Sequence, residues 1–277
     1  MYRVAVVILH YENVQDTLEC IKSLDEQIEM DFDIIVVDNG SDYGKVETIE
    51  SLYSDRSDIH FLHSKENLGF ARGNNLGFRY AKHELHSEII ILANNDLIFE
   101  QKDFVKKLVE TYKENRFDVA GPKIISLVDG MNQNPVARMF YTKQDVQKRY
   151  IKTSVLYCLN VIGLDFLLKK IFAKPIQEFQ YYPSKDFQLH GACMIFGRDY
   201  VNKYEGLYSG TFMYGEEDIL RYQVEQNHLK LLYLDKLTVK HKEGSSTNTV
   251  LKKNKLKRRF FYKWSLDSMR QLMRMMS

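Results

Sequence analysis

Three carboxylates in succession, Glu216, Glu217 and Asp218, follow Gly215, and another, Asp96, closes the run Ile89–Asp96 (IIILANND) behind two amides. A carboxylate with small polar neighbours at the carboxyl end of an apolar strand lies where open α/β sheets collect ligands, and it suits a cation or a polar group. Asn and Asp also favour plain turns, so Asn94-Asn95-Asp96 has a second reading as a strand-to-loop turn. The acids at 216–218 are open to two readings as well. In the first turn of a helix each offsets the positive end of the dipole by about 0.3–1 kcal/mol. That accounts for one or two of them, but three in a row repel one another, and successive helical positions point apart, so only one would face a substrate. Asn67-Leu68-Gly69-Phe70-Ala71-Arg72-Gly73-Asn74-Asn75 precedes a helix expected near Leu76–Ala81. Its amides, glycines and single arginine either bring N–H groups and a cation to a phosphate or form a capped helix entry. His241 stands at a late strand end, where a histidine serves as a ligand or as a structural group.

The elements that position these residues read as an alternating α/β chain. Ile89–Asp96 and Phe32–Val37 are apolar without alternation, the pattern of strands covered on both faces, and the second runs into Asp38-Asn39-Gly40-Ser41-Asp42. Val4–Leu9 is a first strand; Asn13 and Asp16 then form a capping-box start to a helix whose inner face is Val14, Leu18, Ile21 and Leu24. A second helix turns Val46, Ile49 and Leu52 inward, a short strand lies at Ile59–Leu62, and a later helix buries Phe104, Leu108 and Tyr112. Val119–Ile125 contains Pro122 and is expected at an edge or as a bent strand. From Asp129 to Asp186 the pattern is irregular, with an amphipathic stretch Val155–Phe172 that is too short and interrupted to cross a membrane. That stretch reads as a core helix or as a surface meeting a lipid-bearing ligand. Phe187–Phe196, a helix through about Asn227, and strands at Leu229–Leu234 and Leu237–His241 follow. The expected organisation is one domain over 1–250, in halves 1–125 and 126–250, and a basic helical tail over 251–277.

With 277 residues, 44% hydrophobic and 27% charged, the chain has the composition of a soluble globular protein. A net charge of +2 argues against a nucleic-acid binder. Cys20, Cys158 and Cys193 show neither pairing nor metal spacing, which fits a reducing, cytoplasmic setting. Val4–Leu9 is too short for a signal peptide or a membrane span. The tail carries Lys252, Lys253, Lys255, Lys257, Arg258, Arg259 and Lys263 without an acid, so it is either a solvated helix or a peripheral contact with anionic lipid.

In order, VVILHYEN, VVDNGSD, NLGFARGNN, ILANND, HGACMIF, FMYGEED and VKHKEGSS resemble the motifs of family 2 glycosyltransferases, inverting enzymes of the GT-A fold. The resemblance is nearest to the bacterial rhamnosyltransferase-like branch that builds surface polysaccharides. It implies a mostly parallel central sheet flanked by helices, with a small additional sheet, and a donor such as dTDP-rhamnose or a UDP-sugar. It implies a glycan or lipid-linked glycan acceptor. On it, Asp38 reads the nucleobase, and Asn67, Gly69, Arg72 and Asn74 lie along ribose and diphosphate. Asn94-Asn95-Asp96 takes the place of the DxD motif, with Asn94 replacing the first acid and leaving fewer anionic ligands. Asp96 and His241 then hold a divalent ion, for which Mn2+ or Mg2+ fits better than zinc. His190 and Gly191 line the acceptor side. The family's acidic pair falls on Glu216-Glu217, with Glu217 as general base and Asp218 if the pair slides by one.

Two other classes share parts of this pattern. A non-catalytic nucleotide-sugar-binding protein would keep Asp38 and the glycine stretch but has no use for the acids at 216–218. A Rossmann methyltransferase or dehydrogenase would place a glycine-rich turn after the first strand, where this chain has His10-Tyr11-Glu12, and neither G-x-G-x-x-G nor a phosphate loop occurs.

Overall fold

The computed structural model describes residues 2–165, 186–243 and 254–276. In chain order its elements are β1 (Val4–His10), α1 (Val14–Asp25), β2 (Asp33–Asp38), α2 (Lys45–Leu52), β3 (Ile59–His63), α3 (Phe70–His83), β4 (Ile89–Asn94), β5 (Leu97–Ile98) and α4 (Phe104–Asn115). There follow β6 (Val119–Ser126), β7 (Val136–Ala137), α5 (Lys143–Ile162), β8 (Phe187–Gln188), β9 (Cys193–Phe196), α6 (Arg198–Lys203), α7 (Glu216–Gln226), β10 (Leu231–His241) and α8 (Asn254–Met275).

The unbroken apolar runs are explained by two interleaved faces. In β1, Val4, Val6 and Ile8 enter one core while Ala5 and Val7 enter the other; in β4, Ile89, Ile91 and Ala93 oppose Ile90 and Leu92 in the same way. Helices α1 and α4 cover the first face with Ile21, Leu24, Phe104 and Leu108. On the second, α3, α6 and α7 contribute Phe78, Tyr200 and Leu220. The sheet has eight strands in the order β3-β2-β1-β4-β9-β6-β10-β5, and β7 and β8 form a small second sheet. β9 runs antiparallel to β4 and β6, and β5 runs antiparallel to β10; the other pairings are parallel. Because the chain winds from β1 to β3 on one side and returns to place β4 on the other, a crevice opens beyond the carboxyl ends of β1 and β4. Tyr11 and Asn94-Asn95-Asp96 stand at its mouth.

Several local expectations are corrected. β6 is an interior strand, not an edge: its ladder with β9 ends at Ala120, and its register with β10 breaks just after Pro122 opposite Leu234, so the missing N–H falls at a bulge. The two late strands are one, β10, interrupted by that bulge. Helix α3 begins at Phe70, so Arg72, Asn74 and Asn75 are helical and not part of a loop. Leu52 is 64% exposed, and α2 packs through Val46 and Ile49 alone. The amphipathic stretch runs along α5 to Ile162 and three residues beyond it; its remainder from 166 lies outside the described residues.

The C-terminal helix α8 packs along α5. Leu266, Met269 and Leu272 join Phe140, Val146 and Ile219 in a third core, and Tyr262 of the same helix is buried as well. Much of its basic character is used internally. Arg258 pairs with the fully buried Asp165 and holds that carboxyl down at about 2; Arg259 Nε donates to Asn160 Oδ1 at 3.1 Å; Lys263 Nζ sits 4.3 Å above the Trp264 ring. Lys252 and Lys253 lie outside the described residues. Each of the three apolar side chains that α8 places in that core, Leu266, Met269 and Leu272, stabilises the fold by roughly 1.5–3 kcal/mol. Truncation after Val250 should therefore lower the melting temperature sharply, as followed by circular dichroism. A wild-type melt would show the helix to be an appendage.

Candidate active site

A cleft of about 510 Å3 lies over the β1–β4 crevice, within the range of small-ligand sites. Its apolar wall comes from separate elements: Leu9, Tyr11, Phe70, Phe212, Tyr214 and Phe260. Phe212 stacks on Trp264 of α8, with ring centroids 4.3 Å apart, so the C-terminal helix both braces and lines the cleft. The turn before α3 is fixed by amides. Asn39, 3% exposed, donates to Asn67 Oδ1 and to the Gly69 carbonyl, both at 3.2 Å, and accepts from Leu68 N–H at 3.0 Å. Gly69 has φ of 82°, and a Cβ there would stand 2.1 Å from the Phe212 carbonyl oxygen, so only glycine fits this approach.

Asp96 and His241 meet at the floor of the cleft. Antiparallel pairing of β10 with β5 sets His241 opposite Leu97, and its Nε2 lies 3.3 Å from Asp96 Oδ1. Both side chains are about nine-tenths buried, yet Asp96 Oδ1 has no hydrogen-bond partner. An orphaned buried carboxylate oxygen beside an imidazole nitrogen fits a divalent cation. Among the described residues no cluster of three or more such ligands occurs, so a cation here would complete its shell with ligand oxygens and water. Asn94 and Asn95 line the same floor; Asn95 Nδ2 donates to Thr17 Oγ1 at 3.1 Å, which ties the motif to α1.

The acids at 216–218 open α7 after two left-handed residues, Tyr214 (φ 67°) and Gly215 (φ 87°). Glu216 accepts from Thr211 Oγ1 at 3.0 Å, and Asp218 accepts from Gln188 Nε2 at 3.0 Å. Burial, reinforced by the charge of Glu217, raises Glu216 and Asp218 to about 7 each. Burial also raises Glu217, against which the backbone N–H groups of Glu217, Gly191 and Gly215 work. Gly191 is pressed against it: a Cβ there would lie 2.4 Å from Glu217 Oε1.

These shifts carry a stability consequence. A carboxyl whose folded pKa lies above its unfolded value stabilises the fold below the unfolded pKa and loses that contribution as pH rises through the folded one. For Glu216 the window runs from 4.5 to about 7. Raising the pH through it should lower the melting temperature, and Glu216→Gln should flatten that dependence and stabilise the protein at pH 8. An unchanged pH–melting curve in the variant would contradict the burial argument.

A second cavity, of about 250 Å3, lies on the far side of Glu217 between the small sheet, α5 and α8. Met139, Phe140, Leu189, Phe261, Met269 and Leu272 give it apolar walls, and Gln188, Asp218 and Arg149 add polar groups. Glu217, His190 and Tyr214 line both cavities, whereas Glu216 faces only the first and Asp218 only the second. Burial, followed by the nearby His241, lowers His190 to about 4, so it is a neutral ring at neutral pH. Its backbone N–H donates to Asn134 Oδ1 at 2.9 Å.

The structure thus brings together Asn67, Asn94, Asn95, Asp96, His190, Gly191, Glu216, Glu217 and His241 on one cleft. Asp38, Gly69, Arg72 and Asn74 stand outside its lining. Asp38 is buried and accepts from Ser41 N–H at 3.0 Å; Arg72 Nε donates to the Leu68 carbonyl at 3.0 Å; Asn74 donates to the Phe70 carbonyl within α3. Sequence reasoning did not single out Asn39, Phe212 or Phe260. Asn39 carried a signal, an amide directly behind the strand-end acid. The aromatics carried none, because their place depends on α8 docking.

Residues 5–172, more than half of the chain, match the family model described as Glycosyl transferase family 2. The chain belongs to that family. As a family 2 member it is similar to the low-salt glycan biosynthesis hexosyltransferase Agl10 of Haloferax volcanii, with 23% identity over 82% of this chain and 63% of that protein. It is also 31% identical to the uncharacterized glycosyltransferase YfnE of Bacillus subtilis, over 40% of this chain and 27% of that one. The chain therefore spans less than two thirds of either relative. Among solved structures, TarS 1-349 of S. aureus in complex with UDP aligns with a TM-score of 0.57 at 14% identity, over 87% of this chain and 60% of the other. GalNAc-T7 with UDP, GalNAc and Mn2+ aligns at 0.59 and 14%, over 88% and 44%. These two show a shared fold: a mostly parallel sheet flanked by helices, with a small second sheet. Family membership removes the methyltransferase and dehydrogenase readings.

Proposed function

We propose that this family 2 domain moves a hexose, with inversion, from a nucleotide-diphosphate sugar in the larger cleft to a hydroxyl presented through the second cavity. The observation that carries the reading is Glu217, the one acid of the three that lines both cavities. A general base for this reaction must touch the acceptor hydroxyl while that oxygen faces the donor's anomeric carbon. Glu217 deprotonates the hydroxyl, the oxygen attacks, and the carbon–diphosphate bond breaks in one displacement. Burial raises its pKa, which makes it a stronger base than an exposed carboxylate. A divalent cation such as Mn2+ or Mg2+, held by Asp96 and His241, would supply charge stabilisation for the departing diphosphate. The amides Asn39, Asn67, Asn94 and Asn95 order the floor on which the donor rests, and the aromatic wall that α8 braces keeps water from the reacting carbon.

The UDP held by TarS and GalNAc-T7 and the hexosyltransferase activity named for Agl10 favour a UDP-hexose, with dTDP-rhamnose as the other donor class. The apolar second cavity favours an acceptor with an apolar portion beside its sugar, as in a lipid-linked glycan of surface polysaccharide synthesis. No helix among the described residues is long and apolar enough to cross a membrane.

A thermal-shift panel of UDP-, dTDP- and GDP-sugars with Mn2+ tests the donor, since only a ligand that prefers the native state stabilises it. One nucleotide class should raise the melting temperature. No shift with any of them, together with no nucleoside diphosphate release in the presence of glycan acceptors, would overturn the reading.

A further inference from the structure

The side chains behind His241 determine which of its ring nitrogens carries the proton. After β6 the chain folds back on itself, with Gln133 N–H donating to the Ile124 carbonyl at 2.8 Å, and this puts the Gln133 side chain beside His241. Gln133 Oε1 and His241 Nδ1 are 2.7 Å apart. The other end of the amide, Nε2, donates to Glu243 Oε1 at 2.8 Å, and Ser126 Oγ donates to the same oxygen. A carboxylate only accepts, so the NH2 end of Gln133 must face Glu243 and its oxygen must face the imidazole. An oxygen there can only accept, so the neutral ring carries its hydrogen on Nδ1. Nε2 is left with a bare lone pair, 3.3 Å from Asp96 Oδ1, which itself has no hydrogen bond. Two facing lone pairs repel unless a cation lies between them.

We propose that Gln133, oriented by Glu243, is a positioning residue that locks His241 in the Nδ1–H tautomer and so presents Nε2, with Asp96, to a divalent cation. The inference rests on the reading of Asp96 and His241 as a cation site. Outer partners of this kind fix the ring of a metal-ligating histidine and typically account for about 10–100-fold in metal affinity.

The test uses the full 15N-labelled chain, free of metal, in an experiment that correlates ring nitrogens with ring protons. The His241 signals are assigned by their loss in His241→Gln. Wild-type protein should show the Nδ1–H tautomer. Mn2+ should then broaden the His241 signals, and in Gln133→Leu the concentration needed should rise about 10–100-fold while the tautomer preference is lost. An Nε2–H ring in the wild type would overturn the role of Gln133 while leaving the cation site standing, and this measurement decides even if Gln133→Leu fails to fold. Unchanged Mn2+ broadening in a folded Gln133→Leu variant would also overturn it. Absence of broadening by Mn2+ in the wild type would overturn both this inference and the cation reading beneath it.

Discussion

Glu217→Gln should leave the fold and donor binding intact while slowing transfer by about 10²–10⁴-fold, the usual cost of losing a general base. The amide is isosteric and keeps an oxygen for the backbone N–H groups of Gly191, Gly215 and Glu217, but it cannot take a proton. The neighbours supply the controls. Glu216→Gln and Asp218→Asn remove acids that are tied to Thr211 and Gln188 and that each face one cavity only, so their effects should be milder. Removing either also removes a negative charge beside Glu217, which should shift the acidic limb of the rate profile to lower pH. In the wild type that limb belongs to three coupled carboxyls and should lie well above 4.5, with activity rising as pH rises through it. Initial rates at saturating donor across pH 5–9 separate these cases. If Asp218→Asn alone is inactive, the base is one residue further on; if all three amides turn over normally, none of them is the base.

How much of this was legible beforehand depends on whether each property is local. The runs Phe32–Val37 and Ile89–Asp96 lack alternation, the pattern of strands covered on both faces, and the apolar residues of both enter two cores alternately. The acid trio was legible as a helix start because the dipole acts within one turn. Pro122 misled, because whether a proline sits at an edge or at an interior bulge depends on the partner strand, here a break in register opposite Leu234. Leu52 misled because an apolar residue at helical spacing has no core to reach once α2 ends against solvent. Helix α8 is a different case. Its buried residues Tyr262, Leu266, Met269 and Leu272 recur at helical spacing, and the run of lysines and arginines masked a pattern that was present. The split of the site into two cavities sharing Glu217 was not legible at all, since α5, α8 and the small sheet come from three distant parts of the chain.

Removing the proposed cation, or either of its proposed ligands, should have an effect as large as removing the proposed base. Asp96→Ala and His241→Ala should each lower turnover by at least about 10²-fold, the scale on which single stabilisers of developing charge are felt. EDTA should inhibit the wild type, and Mn2+ or Mg2+ should restore it. The geometry separates this outcome from simple unfolding. Asp96 Oδ1 is buried without a hydrogen bond, so deleting the carboxylate removes an uncompensated polar group and should not destabilise the fold. The Asp96→Ala variant should accordingly melt at or above the wild-type temperature while being nearly inactive. His241 differs, because its Nδ1 contact with Gln133 is lost with the ring, and His241→Ala should melt somewhat lower. Full activity in EDTA would sink the metal assignment, and Asp96 would then have to act through its charge on His241 and His190 alone.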